Sequence, residues 1–184
     1  EFITIGTTGN ATDFGDQVSG IGKSQGGASN GSRGMTVAGA APGSPSPGGE
    51  VNVIEYITIG TIGNSTDFGD SAERVELMGT VDDGSRCVYG GGAKQPATNS
   101  DEVYYFNIAS LGNSTDFAGE LTQARMYLAA CSNGSRGCWG GGQTSDPTAV
   151  NVVDYIPIGT LATDAVDFGE LSVARQYVSS FSGD

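Results

Sequence analysis

Tyr56-Ile-Thr-Ile-Gly-Thr-Ile-Gly-Asn-Ser-Thr-Asp-Phe-Gly-Asp70 decides the fold, because Phe2-Ile-Thr-Ile-Gly-Thr-Thr-Gly-Asn-Ala-Thr-Asp-Phe-Gly-Asp16 spells it almost identically. The phrase returns from Tyr105 to Glu120 and, more loosely, from Tyr155 to Glu170. Its phenylalanines, Phe14, Phe68, Phe117 and Phe168, lie 54, 49 and 51 positions apart. A second phrase follows three of the copies: Asn30-Gly-Ser-Arg-Gly34, Asp83-Gly-Ser-Arg-Cys87 and Asn133-Gly-Ser-Arg-Gly137. A period of this length is the signature of a repeat architecture, in which each unit buries its apolar face against the next.

The clearest copy reads as four short strands. Ala124-Arg125 introduces an apolar strand over Met126 to Ser132. Asn133-Gly134 predicts a hairpin with a type I′ turn, since both turn residues then need positive φ. The second strand holds Cys138-Trp139 and closes on Gly140, Gly141 and Gly142, and a polar loop runs through Pro147. From Val150 to Ile158, Val150, Val152, Ile156 and Ile158 share one face and Val153 and Tyr155 the other. Asp154 breaks the pattern on the first face, as Glu55 does in its own copy. A loop with Asp164 precedes a last strand around Val166 to Phe168. The middle copy has Gly90, Gly91 and Gly92 at the same place as the later triple glycine, and Tyr89 matches Trp139 as a core position. The earliest full copy is degenerate, with Val37-Ala38-Gly39 in place of triple glycine. A Pro/Gly/Ser surface loop over Pro42 to Gly49 accounts for most of its extra length.

Composition agrees with strands and turns. Glycine makes up 31 of 184 residues, more than twice the usual ~7%, and glycine costs about 1 kcal/mol in a helix relative to alanine. Eight basic against twenty-one acidic residues give a net charge of −13. Such a surface repels phosphates, so neither nucleic acid nor an anionic membrane is an expected partner. No apolar run of the ~18 residues needed to span a bilayer is present. Residue 1 is a glutamate inside a repeat and reads as the start of a mature product or of a fragment.

The chain has no histidine. That removes Ser-His-Asp and Cys-His catalysis and the commonest metal-binding side chain. With no assembly of nucleophile, base and oxyanion donors, the chain reads as non-enzymatic and free of cofactors. The repeated Asp13, Asp67, Asp116 and Asp167, with Asp16, Asp70, Glu120 and Glu170 nearby, are the candidate ligands for a hard cation. Their spacing fits neither an EF-hand nor an RTX loop, and closure of their own turns is the favoured reading. Arg33, Arg86 and Arg136 are candidates for binding acidic sugars or carboxylates around a central opening. The favoured reading has each one pairing with a repeated aspartate or a backbone carbonyl, so as to fix one unit to the next. Arg74, Arg125 and Arg175 form a second set. Asn10, Asn30, Asn64, Asn113 and Asn133 begin N-x-Ser/Thr sequons, which turn chemistry explains. Cys131 and Cys138 face each other if the hairpin loop has four residues, and a two-residue turn pairs Cys131 with Arg136 instead. Free thiols are expected, with Cys87 the third cysteine.

Ala124-Arg125, Arg136 to Gly142 and Tyr155, matched by Arg86 to Gly92 and Tyr104-Tyr105, resemble a kelch-type repeat over nearly the whole chain. The resemblance implies an all-β fold of propeller-type blades, each of four short antiparallel strands, in about three and a half repeats. Phenylalanine stands where that family has a tryptophan in the fourth strand. The absence of histidine also removes the copper site of kelch-type oxidases, and no sialidase-type aspartate box is present. The fuller wording is similar to repeats in virion proteins of marine bacteriophages, especially those of cyanobacteria. That similarity implies an extracellular or virion-surface setting, with other copies or other virion proteins as partners and host surface glycans as an alternative. The loops Gln17 to Ala28 and Lys94 to Ser100 are the expected contact surface for such a receptor.

The expected organisation is a single repeat domain over 1–184. It divides into a partial blade at 1–16, a degenerate blade at 17–70, blades at 71–119 and 120–170, and a partial blade at 171–184. About one strand and its loop are wanting for a full circle. A longer array, a small closed ring and completion by a neighbouring copy are the three explanations, of which the first and third are favoured. Open strand edges make self-assembly an expected property.

Overall fold

The computed structural model describes residues 1–45, 47–96, 98–145 and 148–182, and among them every regular element is a strand. Strands β1 (Gly26–Ser29), β2 (Arg33–Ala40), β3 (Glu50–Thr58) and β4 (Thr66–Asp70) form an antiparallel sheet in chain order. Strand β5 (Val75–Glu76) leads into β6 (Gly79–Asp82) and β7 (Arg86–Gly90). After β8 (Ala93–Lys94) and β9 (Thr98–Asn99) come β10 (Glu102–Asn107) and β11 (Thr115–Glu120). The second large sheet runs β6-β7-β10-β11, and β5, β8 and β9 make a small satellite. The third consists of β12 (Ala129–Ser132), β13 (Arg136–Gly140), β15 (Thr148–Pro157) and β16 (Val166–Arg175), with β14 (Gln143–Ser145) folded back on β15. Phe2 and Thr12 form an isolated antiparallel bridge in the first partial copy. No closed ring of sheets forms among the described residues.

The apolar residues of each sheet are buried against those of the next, so the core lies between units. Met35, Val37, Ile54 and Phe68 of the first sheet pack with Met78, Tyr89, Tyr104 and Ile108 of the second. Val81, Val103 and Phe117 of the second pack with Leu128, Trp139, Ile156 and Ile158 of the third. Each such burial stabilises by about 1.5–3 kcal/mol, and no sheet could retain it alone. The first strands also run side by side. Thr80 Oγ1 both donates to Gly27 O (2.8 Å) and accepts from Gly27 N (3.0 Å), and Ser132 Oγ donates to Asp82 O at 2.7 Å.

The hairpin expectation is corrected. Asn133 does not adopt positive φ, whereas Gly134 does, at +79°. The Asn133 Oδ1 atom instead accepts from Ser135 N (3.0 Å) and Arg136 N (2.8 Å), closing a four-residue loop. Asn30 and Asp83 do the same in the earlier copies. This loop places Cys131 opposite Cys138, and both thiols are free.

Three strand boundaries also move. The strand expected from Met126 begins only at Ala129, because Tyr127 sits at φ +58°. The last strand extends far beyond Phe168, to Arg175. Within the loop expected to run through Pro147, β14 forms over Gln143–Ser145; Pro147 itself and Asp184 lie outside the described residues.

The degenerate copy folds as a full sheet. Ala38 takes φ +48° where Gly91 and Gly141 take +71° and +66°, so an alanine meets the left-handed requirement there. At Gly91 a Cβ would come within 2.9 Å of the carbonyl oxygen of Arg125 in the following unit, and at Gly141 within 2.8 Å of that of Arg175 at the end of β16. Glycine at these two positions is therefore required by the close approach of another backbone segment.

Candidate functional site at the unit boundaries

The repeated phrase builds a clip between units. Its Gly-Asn-x-Thr turn does not serve its own sheet alone, because it lies along the outer edge of the preceding fourth strand. Gly63 N donates to Phe14 O at 2.8 Å, and Ser65 N to Asp16 O at 2.9 Å. Asp16 N returns a bond to Asn64 Oδ1 at 3.0 Å. One unit later, Gly112 N binds Phe68 O (3.0 Å), Ser114 N binds Asp70 O (2.9 Å) and Asp70 N donates to Asn113 Oδ1 (2.9 Å). At the third boundary Ala162 N and Ala165 N bind the carbonyls of Phe117 and Glu120, and Asp164 Oδ1 accepts from Glu120 N at 3.2 Å. An edge strand that would otherwise offer bare backbone is thus capped each time. At about 0.5–1.5 kcal/mol per hydrogen bond, each clip contributes a few kcal/mol.

The arginines complete the clip. Arg33 Nη1 donates to Ile108 O at 2.8 Å and Arg86 Nη1 to Ile158 O at 2.6 Å, in each case reaching the next unit. Each guanidinium also lies over a tyrosine of its own sheet, Arg33 over Tyr56 at 4.7 Å and Arg86 over Tyr105 at 5.0 Å. Those tyrosines meet Phe68 and Phe117 edge-on, at 6.1 and 6.0 Å. Arg136, Tyr155 and Phe168 repeat the arrangement, at 4.9 and 5.8 Å, but Arg136 is exposed. Such stacking orients a charged group whose donors then address a carbonyl.

The repeated aspartates are exposed and stand one per unit. Asp13, Asp116 and Asp167 each accept a bond from the backbone N–H two residues on, at 3.2, 2.8 and 2.8 Å. Asp67 occupies the same place in its turn. Among the described residues no group of three or more His, Cys, Asp or Glu side chains could hold a metal ion.

The first strands border an open depression of about 910 Å³ lined by Asn30, Asp82, Asp83, Asn133 and their neighbours. Arg33, Arg86 and Arg136 do not line it. Asn64 and Asn113 are committed to the clips, and Asn30 and Asn133 to their own loops.

A buried ion pair was not visible in the sequence. Arg125 and Asp154 are both fully buried and meet at 2.7 Å. Arg125 also donates to the carbonyls of Trp139, Gly141 and Val152 at 3.1, 2.8 and 2.7 Å. Burial draws the guanidinium below its ordinary pKa, and Asp154 opposes that. The second arginine set dissolves at this point. Tyr127, Leu77 and Tyr177 share the same positive φ, so Arg125 aligns with Val75 and Arg175, while Arg74 is one position out of phase and exposed. The signal that could have found the pair was Asp154 itself, a carboxylate on an apolar face.

In the second unit Tyr89 is buried with its hydroxyl between Ser71 and Ser114, 2.6 Å from each. Burial pushes it up to about 12, although both serines pull the other way. The Cys87 thiol is likewise pushed up by burial and then by Asp82, which makes it unreactive. The chemistry assembled at the unit boundaries is therefore recognition of backbone by backbone, amide and guanidinium. No protein-family model matches this chain, and no curated protein matches it.

Proposed function

We propose that this chain is a non-enzymatic structural and assembly module, whose sheets are kelch-like propeller-type blades, on the surface of an extracellular particle. A virion fibre, tail or surface component is the setting that the wording of the repeat favours. The carrying observation is that the most strictly repeated residues serve attachment of one unit to the next: Asn64 and Asn113 cap a neighbour's edge, and Arg33 and Arg86 hold a neighbour's carbonyl. A net charge of −13 keeps such a particle dispersed in salt water. Its partners are other copies or other particle proteins.

A carbohydrate- or receptor-binding role is the second reading, and the polar depression among the first strands favours it. Light scattering and negative-stain microscopy, run beside a glycan array, separate the two. The assembly reading expects defined multimers and an empty array. A chain that stays monomeric at millimolar concentration and binds a defined glycan overturns it.

A further inference from the structure

Each internal clip has a receiving edge and an inserting turn. At the third sheet the receiving half is complete and nothing among the described residues occupies it. Phe168 is 59% exposed, whereas its equivalents Phe68 and Phe117 are 3% and 0% exposed beneath the next unit's turn. A Cβ at Gly69 or Gly119 would strike the inserted turn at 2.6 or 2.2 Å, but at Gly169 it would meet nothing within 4 Å. Arg136 lies over Tyr155 as Arg33 and Arg86 lie over their tyrosines, yet it is exposed and no carbonyl among the described residues pairs with its guanidinium.

The inserting half stands at the other end of the same chain. Gly9-Asn10-Ala11-Thr12 repeats the wording of Gly63-Asn64-Ser65-Thr66. It is exposed, and a Cβ at Gly9 would meet nothing within 4 Å. Ile5 occupies the position of Ile108 and Ile158, the carbonyl acceptors of the arginines, and is 95% exposed. By sequence, residues 1–16 thus correspond to the third and fourth strands of a unit, joined here by the Phe2–Thr12 bridge. Residues 178–182 run beside β12 in the place of a first strand, where Ser180 Oγ donates to Ala130 O at 2.6 Å and Ser182 Oγ accepts from Ser132 N at 2.8 Å.

We propose that residues 1–16 of a second copy dock on the Phe168–Glu170 edge and Arg136 of the first, head to tail. Asn10 Oδ1 then accepts from Glu170 N, the backbone of Gly9 and Ala11 donates to the carbonyls of Phe168 and Glu170, and Arg136 donates to Ile5 O. This interface is heterologous and repeats the contact already made three times within the chain, so it generates chains or rings of copies. It rests on the assembly reading above and names the surface that performs it.

The test uses two variants of the 184-residue chain. Asn10→Arg blocks the head and Phe168→Asp blocks the tail. Both sites are exposed, and circular dichroism checks that each variant folds. Sedimentation velocity in about 0.5 M salt, where like-charge repulsion is screened, follows association. Wild type is expected to form multimers, each variant alone to associate at least about tenfold more weakly, and their equimolar mixture to stop at a dimer of twice 18.6 kDa. If both variants associate like wild type, this interface is wrong and the assembly reading stands through another surface. If wild type never associates, or closes on itself as a monomer insensitive to both changes, the interface is overturned together with assembly.

Discussion

The second and third sheets have the same frame and opposite centres. In the third, Arg125, Trp139 and Asp154 meet as a buried ion pair beside an indole. The equivalent residues in the second are Val75, Tyr89 and Tyr104, an apolar and aromatic set in which the two tyrosine rings stack at 5.5 Å. The first sheet has Gly22, Thr36 and Glu55 there; Glu55 Oε1 accepts from Ser19 N at 2.7 Å. The backbone of the unit is therefore indifferent to what fills its centre, provided the filling is self-consistent. A charge needs its partner and, here, three carbonyl acceptors, and an apolar side chain needs only volume. In the third sheet the charged members come as a pair because each satisfies the other.

Breaking the comparison at its charged end gives the largest effect. Arg125→Met leaves the Asp154 carboxylate buried and unpaired, and urea unfolding should show a loss of about 3–5 kcal/mol. Copying the second sheet's solution, Arg125→Val with Asp154→Tyr, should recover most of that loss. A double variant less stable than Arg125→Met would mean that the two centres are not interchangeable.

Truncating the fourth-strand phenylalanine sharpens the contrast at the edge. Phe117→Ala empties a site covered by the third unit and should cost about 3–5 kcal/mol. Phe168→Ala, at low protein concentration, should cost under about 1 kcal/mol, because the side chain is already mostly in water. Equal losses in thermal melts would show that the edge of the third sheet is covered within a single chain.

The smallest effects concern the Tyr89 hydroxyl, at a position where the third sheet has the indole of Trp139. Ser114→Ala removes one partner of its hydroxyl and should cost about 1–2 kcal/mol in the same unfolding assay. Its folded pKa of about 12 lies above the unfolded value of about 10. The folded form therefore retains the proton longer, and the associated stability is full below pH ~10 and is lost as pH rises toward ~12. Ultraviolet titration at alkaline pH should find the Tyr89 tyrosinate appearing only with unfolding, beside that of Tyr104, which burial and Glu102 also push up. Ionisation of all tyrosines near pH 10 in the folded chain would contradict the buried placement.

Much of the fold was legible because the repeat states it several times over. Tyr56 and Phe68, the Asn-Gly-Ser-Arg loops and the triple glycines occur at one interval, and each occupies an equivalent place in its sheet. The burial of Tyr89 and Trp139 followed from their shared position. Other features were hidden for identifiable reasons. The hairpin loops have four residues because one side-chain oxygen of Asn133 takes two backbone donors, an outcome that Asn-Gly alone does not distinguish from a two-residue turn. Arg74 and Arg125 look equivalent by spacing, but a one-residue slip before Leu77 puts one in water and the other in the core. Arg33 and Arg86 face the neighbouring unit's carbonyls, and the depression is lined by other residues.

The sequence by itself determined the unit, its strands and the residues that recur, because periodicity and turn chemistry are local properties of the chain. Only the tertiary structure decided what each recurring residue does. Phe117 and Phe168 stand in nearly the same words, and one is buried while the other is exposed. The difference lies in whether a neighbouring unit is present to cover the edge, and that is a matter of packing between units.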